Sequence, residues 1–419
     1  MAKTAPSGYP APRLEALTGA RFFAAAAVLL MHFAVVDALG ARDDSWHGQW
    51  LSFWVTTGGA GVGFFFLLSG FVLAHTYARA FASESCPRHA TGLRRNAHIH
   101  FWQARANRIY PTYLAALLLT TGSALWLGHL GLTPWAECRL DSCGLPWLLS
   151  LVPLQAWFPD VHIQQLWNAP GWSIAAEAFF YLLFPFLVTP VLACVRRWGW
   201  GVVAALWLAQ NTAFAALSAL VASASDPATQ AGLALWLERL PLLRLPEFLL
   251  GVAAWGLWRP TSSAAPGPPD SNPALSSAWV FWGLLIALGA LWFLPVPATP
   301  GWLHTLASAK AYSLAAPLFA LLVLHLAHAS AGSGPSHLAA RILGSRPLVL
   351  LGEASYALYI LHWAVLQSLF AVYRSAGGAP PVWAGYAALI GALVLSLLVH
   401  QFFELPLRRR LAARQMASR

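Results

Sequence analysis

Charged side chains are scarce in this chain: Asp, Glu, Lys and Arg make up only 10% of its 419 residues, whereas 58% are hydrophobic. Soluble domains carry about 25% charged residues, so the shortage excludes an ordinary globular reading and places the chain in a bilayer. Acidic residues are the scarcer sign, 15 against 25 basic, giving a formal net charge of +10. That excess invites nucleic acid, yet no compact basic face with interleaved aromatics is present, and no nucleic-acid partner is expected. No separate soluble domain is visible. An internal repeat is also missing, which counts against transporter folds built from duplicated halves. Cysteine is limited to four residues. Cys86 shares a basic segment with His89, His98 and His100, but their spacing matches no zinc-ligand pattern, so no metal site is expected.

What the chain has in quantity is apolar runs. Stretches long enough to cross about 30 Å of hydrocarbon lie near residues 17–39, 53–77, 109–131, 173–195, 199–222, 240–258, 277–296, 310–330, 347–373 and 381–403. Tryptophans such as Trp46, Trp172, Trp198 and Trp258 stand near their ends, where an amphipathic ring suits the headgroup zone. The expected fold is therefore all-α, a polytopic transmembrane helix bundle of about ten spans with both termini cytoplasmic. With that orientation 19 of the 25 basic residues fall on the inner side, as the positive-inside bias requires. The first run also admits a signal-peptide reading, but its apolar stretch continues past the small residues around Ala24.

Between the spans, residues 78–108 read as a basic cytoplasmic loop or interfacial helix, and 132–171 as an outer lid broken by Pro134, Pro146, Pro153, Pro159 and Pro170. Residues 260–275 are rich in Pro, Ser and Gly and read as a flexible linker. Residues 1–407 then form a single transmembrane domain and 408–419 a basic tail. Cys138 and Cys143 fall in the outer lid, where an oxidising compartment allows a disulfide; free thiols are the alternative.

Ionisable groups inside a span are costly and usually line a cavity. Arg21 and His32 are eleven residues apart, about 20° off one helix face and roughly 16 Å along it. A cation near the inner end and an imidazole at mid-membrane suit a group transfer, since histidine can take a proton from a hydroxyl near neutral pH. A snorkelling Arg and a packed His are the alternative. His32 and Asp37 also spell the His-x4-Asp of peripheral acyltransferases, but on a continuous helix they would sit about 140° apart. Arg105 and Arg108, at the inner entrance of the third span, share a helix face and suit either phosphate groups or topology anchoring. Ser173, Glu177 and Tyr181 are four residues apart on one stripe of the fourth span. Glu177 there would hold an acceptor hydroxyl, orient His32, or act as base itself. Arg244 with Glu247 in the sixth span, and His362 in the ninth, are secondary candidates.

Seven motifs in order extend these observations over the whole chain. They are Arg21-x10-His32, Gly61-Val-Gly-Phe-Phe-Phe-Leu-Leu-Ser-Gly-Phe71, Arg105-x2-Arg108-Ile-Tyr-Pro111, Trp172-Ser-Ile-Ala-Ala-Glu177-Ala-Phe-Phe-Tyr181, Arg244-x2-Glu-Phe-Leu-Leu-Gly251, Gly352-Glu-Ala-Ser-Tyr-Ala-Leu-Tyr-Ile-Leu-His362 and Phe403-Glu404-Leu-Pro406. Together they resemble the acyltransferase-3 family of integral membrane acyltransferases, which O-acylate bacterial surface polysaccharides and some antibiotics. The resemblance implies a ten-helix bundle in the bacterial inner membrane, and an acyl-coenzyme A co-substrate, acetyl first, with no tightly bound cofactor. It implies His32 as catalytic histidine, and Arg21, Arg105 and Arg108 as donor-binding residues; Glu177 is the second catalytic candidate, read from its own span. Trp172, Ser173 and Tyr181 are the expected acceptor side, the acceptor being a glycan or a lipid-linked sugar. Many members of that family carry a further esterase-like domain, and none is expected within this chain. The rival reading is a transporter or flippase of a glycan or lipid-linked sugar that performs no acyl chemistry. A third, a structural subunit of a glycan-assembly complex, would be inert in both respects.

Overall fold

The computed structural model describes residues 14–35, 37–39, 45–82, 90–131, 140–223, 226–258, 277–293, 313–331, 338–375, 378 and 380–417. These form helices with no strand among the described residues. In chain order the helices are α1 (Glu15–Val35), α2 (Trp46–Thr57), α3 (Ala60–Ala82), α4 (Ala90–His129), α5 (Leu140–Leu151), α6 (Val161–Gln165), α7 (Trp172–Trp198), α8 (Trp200–Ala222) and α9 (Pro227–Arg239). They continue with α10 (Pro241–Trp258), α11 (Ala278–Phe293), α12 (Ala316–Ala331), α13 (Leu338–Leu343), α14 (Arg346–Glu353), α15 (Ser355–Ser375), α16 (Val382–Val399) and α17 (Leu405–Ala417).

Seven segments among the described residues are long and apolar enough to cross a membrane: Glu15–Val35, Ala60–Ala78, Ala169–Trp198, Trp200–Ala222, Ala228–Trp258, Ser355–Tyr373 and Val382–Ala413. The chain is therefore a multi-pass membrane protein. The other three expected spans are also helical, but α11 and α12 are 16 residues each in their described parts. In α4, Arg105, Arg108 and a run of hydroxyl side chains dilute the apolar stretch. The face predicted to be cytoplasmic is called inner below.

Helix α4 begins at Ala90, so the second half of the basic segment 78–108 is helical rather than a loop. Nothing breaks the helix between Ala90 and Pro111, and even that proline is carried inside it. The basic tail likewise continues as α17, after a π-helical turn at His400–Glu404. Short pieces make up the lid: α5, a 3₁₀ turn at Gln155–Trp157, α6 and a 3₁₀ turn at Ala169–Gly171. Asp160 caps α6 by accepting from the His162 and Ile163 amides at 2.7 and 3.2 Å. Linker residues 260–275 lie outside the described residues.

Helix pairs in lipid gain from small residues that let backbones approach. Gly251 of α10 lies against the Leu67 carbonyl of α3 and Gly70 of α3 against the Phe248 carbonyl of α10; a Cβ at either would clash with backbone. This reciprocal contact makes α3 and α10 the most intimate pair in the bundle. On the inner side, α1 packs on α13 and α14, and it then runs alongside α3 and α15. Those contacts place Arg21 and His32 of α1 beside the polar stripe of α15.

Candidate active site

A cavity with about 810 Å³ of empty space, its open mouth included, lies between α1, α3, α4, α7 and α15. Arg21, Arg105, Arg108, Ser173, Glu177 and Tyr181 all line it. Six residues singled out in sequence from three regions thus face one space. Helix α15 adds Ser355, Tyr356 and Tyr359, and α3 adds Ser69. Three guanidiniums oppose one carboxylate, so the lining has a surplus of positive charge.

The walls are tied by hydrogen bonds. Arg105 donates from Nη2 to the Tyr77 hydroxyl at 3.2 Å, and its guanidinium lies 5.3 Å from the centre of that ring. The Tyr181 hydroxyl is 3.3 Å from Ser69 Oγ, and its carbonyl accepts from Trp102 Nε1 at 3.0 Å. Tyr356 donates to the Ile109 carbonyl at 3.0 Å, locking α15 to α4. Pro170 receives both Ser173 Oγ and the Tyr359 hydroxyl, at 3.0 and 3.2 Å. By contrast, Arg21 and Arg108 form no ion pair or side-chain hydrogen bond with a described residue. Arg108 feels the like charges of Arg21, Arg105 and Arg408, against the single carboxylate of Glu177. Cations gathered this way in a low-dielectric space favour an anionic ligand.

His32 does not line this cavity. It pairs with His362: Nδ1 of His32 is 3.0 Å from Nε2 of His362, and the rings stack with centroids 5.0 Å apart. Trp363 stands edge-on to His32 at 5.5 Å, and Tyr359 stands edge-on to His362 at 6.3 Å. Tyr359 therefore has the arginine cavity on one side and the histidine pair on the other. The hydrogen bonds assign the tautomers. His362 Nδ1 faces the Leu358 carbonyl at 3.2 Å, and a carbonyl only accepts, so Nδ1 carries that proton. Neutral His362 then accepts at Nε2 from His32 Nδ1–H, which leaves His32 Nε2 with a free lone pair.

The other expected residues divide by depth. Tyr181 is eight residues inward of Ser173 along α7, about 12 Å, and both line the cavity that holds the arginines. Trp172 is buried outside the cavity, with Arg239 and Arg244 each 5.9 Å from its ring. The charges acting on Glu177 are Arg21, Arg108 and Arg105, whereas those acting on His32 are His362 and Arg239, so Glu177 keeps company with the arginines. Arg244 and Glu247 form a buried ion pair at 3.0 Å, and Gln210 Nε2 adds a hydrogen bond to Glu247 at 2.9 Å. Asp37 has a φ of 59° just beyond the end of α1, and it is no partner of His32. Cys143 is disulfide-bonded, and Cys138 lies outside the described residues. Cys194 is a free thiol.

A family model described as "Acyltransferase domain" matches residues 14–401. The chain belongs to the acyltransferase-3 family. It is similar to the acyltransferase MdmB of Streptomyces mycarofaciens, 29% identical over 96% of this chain and 94% of that protein. It also resembles a putative O-acetyltransferase of Staphylococcus aureus strain COL, 24% identical over 85% of this chain. A putative peptidoglycan O-acetyltransferase of Bacillus subtilis strain 168 is 23% identical over the same share. The alignments cover 54% and 51% of those last two proteins. No solved structure matches. As an acyltransferase-3 member the chain is an O-acyltransferase.

The sequence reading did not single out Ser355, Tyr356 or Tyr359, although its α15 motif contained them. Their signal is a polar stripe on an otherwise apolar helix, at spacings of three and four that continue to His362. Arg239 was also missed, because it follows an ordinary helix-end pattern in α9.

Proposed function

We propose that this protein moves an acyl group from acyl-coenzyme A to a hydroxyl of a glycan or lipid-linked sugar at the bacterial inner membrane, with His32 as base. One observation carries the reading: a cavity lined by Arg21, Arg105 and Arg108 lies directly against the His32–His362 pair, with Tyr359 between them. The donor's phosphates meet Arg21 and Arg108 first, because neither guanidinium is held by an ion pair or side-chain hydrogen bond to a described residue, and Arg105 closes that side of the cavity. Along α1 the distance from Arg21 to His32 is about 16 Å, which a pantetheine arm spans. The thioester then lies beside Tyr359.

His32 Nε2 takes the proton of the acceptor hydroxyl as its oxygen attacks the thioester carbonyl. The new C–O bond forms, the C–S bond breaks, and the proton passes to the departing sulfur, giving an ester and free coenzyme A. His362 accepts from His32 Nδ1–H throughout, so it holds the ring's orientation and spreads the charge of the transient imidazolium. Titration of the purified protein with acyl-coenzyme A, alongside product mass spectrometry, tests the reading. Saturable donor binding lost in an Arg21/Arg108 double variant supports it; transport of a glycan with no coenzyme A binding overturns it.

A further inference from the structure

A second open space lies on the far side of Arg105. It has about 690 Å³ of empty volume with its open side included, and it runs between α4 and α7. From α4 come Trp102, Ala106 and Tyr110, one stripe at four-residue spacing about 12 Å long. From α7 come Ala178 and Leu182. Ala106, Tyr110, Ala178 and Leu182 are exposed on the bundle's outer surface, in α4 and α7, the third and fourth of the expected spans, so the groove opens sideways towards lipid. It is open because the two helices present alanine where a larger side chain would close the gap. Arg105, Ile109, Ile174 and Tyr181 line both this groove and the arginine cavity, so the two spaces meet.

We propose that the groove is a lateral port for a lipid-borne acceptor, whose hydrocarbon part lies along Ala106, Tyr110, Ala178 and Leu182 while its hydroxyl-bearing head passes into the cavity. The inference rests on the acyl-transfer reading above and narrows the acceptor from a glycan polymer to a molecule that arrives dissolved in the membrane. The groove runs outward to Pro153 of the lid, and the shared residue Ile174 belongs to the same packed cluster as Ile360 and Leu361, just before His362. A head group that crosses from the groove therefore comes out near the depth of the histidine pair, while the donor's phosphates hold the arginine end of the cavity. Arg105 favours such a crossing, because its buried Nε–H has no hydrogen-bond partner and sits where a polar linker leaves the apolar groove.

The test is photolabelling of the full chain in lipid nanodiscs with a dodecyl glycoside carrying a diazirine on its alkyl chain. Labelled peptides should concentrate in 102–110 and 174–182, and unlabelled dodecyl glycoside, but not methyl glycoside, should compete. Ala106→Phe and Ala178→Phe should cut that labelling several-fold while acyl-coenzyme A titration is unchanged; Ala106→Leu serves if the larger side chains prevent folding. Labelling spread evenly over outward helix faces, or undiminished in the filled variants, overturns the port. So does a diazirine phospholipid that labels the groove and is not displaced by the glycoside, which makes it an annular lipid site. Labelling by a long-chain acyl-coenzyme A photoprobe in place of the glycoside assigns the groove to the donor and overturns the proposal as well. If acyl-coenzyme A does not bind the wild-type protein but the glycoside pattern holds, the donor reading fails and the port stands.

Discussion

Replacing His32 by Ala removes the only ring nitrogen that the hydrogen bonds of the pair leave as a bare base. Turnover should fall about 10²–10⁴-fold, the range for a positioned acid or base, while acyl-coenzyme A affinity in a calorimetric titration stays near wild type. Ordinary turnover would move the role of base to Glu177. His362→Phe keeps an aromatic ring but loses the acceptor at Nε2. It should slow turnover by about an order of magnitude or more through a misoriented His32, shift the pH–rate profile, and leave the donor KM alone. The arginines should fail differently. A charge-assisted contact to a phosphate contributes roughly 1.5–3 kcal/mol, so Arg105→Ala with Arg108→Ala should weaken donor binding at least tenfold, and saturating donor should recover part of the rate. Normal binding would return both residues to topology anchoring. The site's charged residues were legible one by one, because an ionisable group in an apolar span stands out against its background. Which of them share one space was not, and Tyr181, expected with Ser173 on the acceptor side, lines the same cavity as the arginines.

Elements meet in this bundle where side chains are smallest. Gly251→Leu would drive a branched side chain into the Leu67 carbonyl, with no flexible neighbour to yield. Overpacking of this kind costs about 1–3 kcal/mol or more, and a thermal shift in detergent should read it as a lowered midpoint, whereas the same change at Gly122, which has open space around it, should be nearly silent. In the lid, Cys143 is disulfide-bonded, and the short spacing makes Cys138 the expected partner. Thiol labelling of freshly prepared membranes should modify neither until reduction; full labelling beforehand would leave the lid held by packing and by its Asn168 contact to the Ile360 carbonyl of α15 at 3.1 Å. Helix positions followed from apolar run length, but helix ends did not. The basic segment 78–108, which reads as a loop or an interfacial helix, is from Ala90 onward the first part of α4, since charge alone does not break a helix and no Gly-Pro pair intervenes.

For the molecule as a whole, the charge bias predicts reporter fusions inside after Arg95, Arg197 and the C-terminus, and outside after Cys138. An outside C-terminus would require an odd number of spans and exchange the two entrances. Composition determined the membrane solvent, and the length of the apolar runs determined the all-helical class and the polytopic plan, because a bilayer leaves such a run few ways to satisfy its backbone other than a helix. The ordered motifs determined the family, and the rarity of charge within spans marked out the arginines and Glu177. Only the tertiary structure decided which of those groups share a cavity and that His32 finds its partner 330 residues away in His362. It alone decided that two alanines leave a gap beside Arg105. The reason is physical: periodicity reports the face of a single helix, whereas pairing, depth and gaps arise from how helices distant in sequence are packed together.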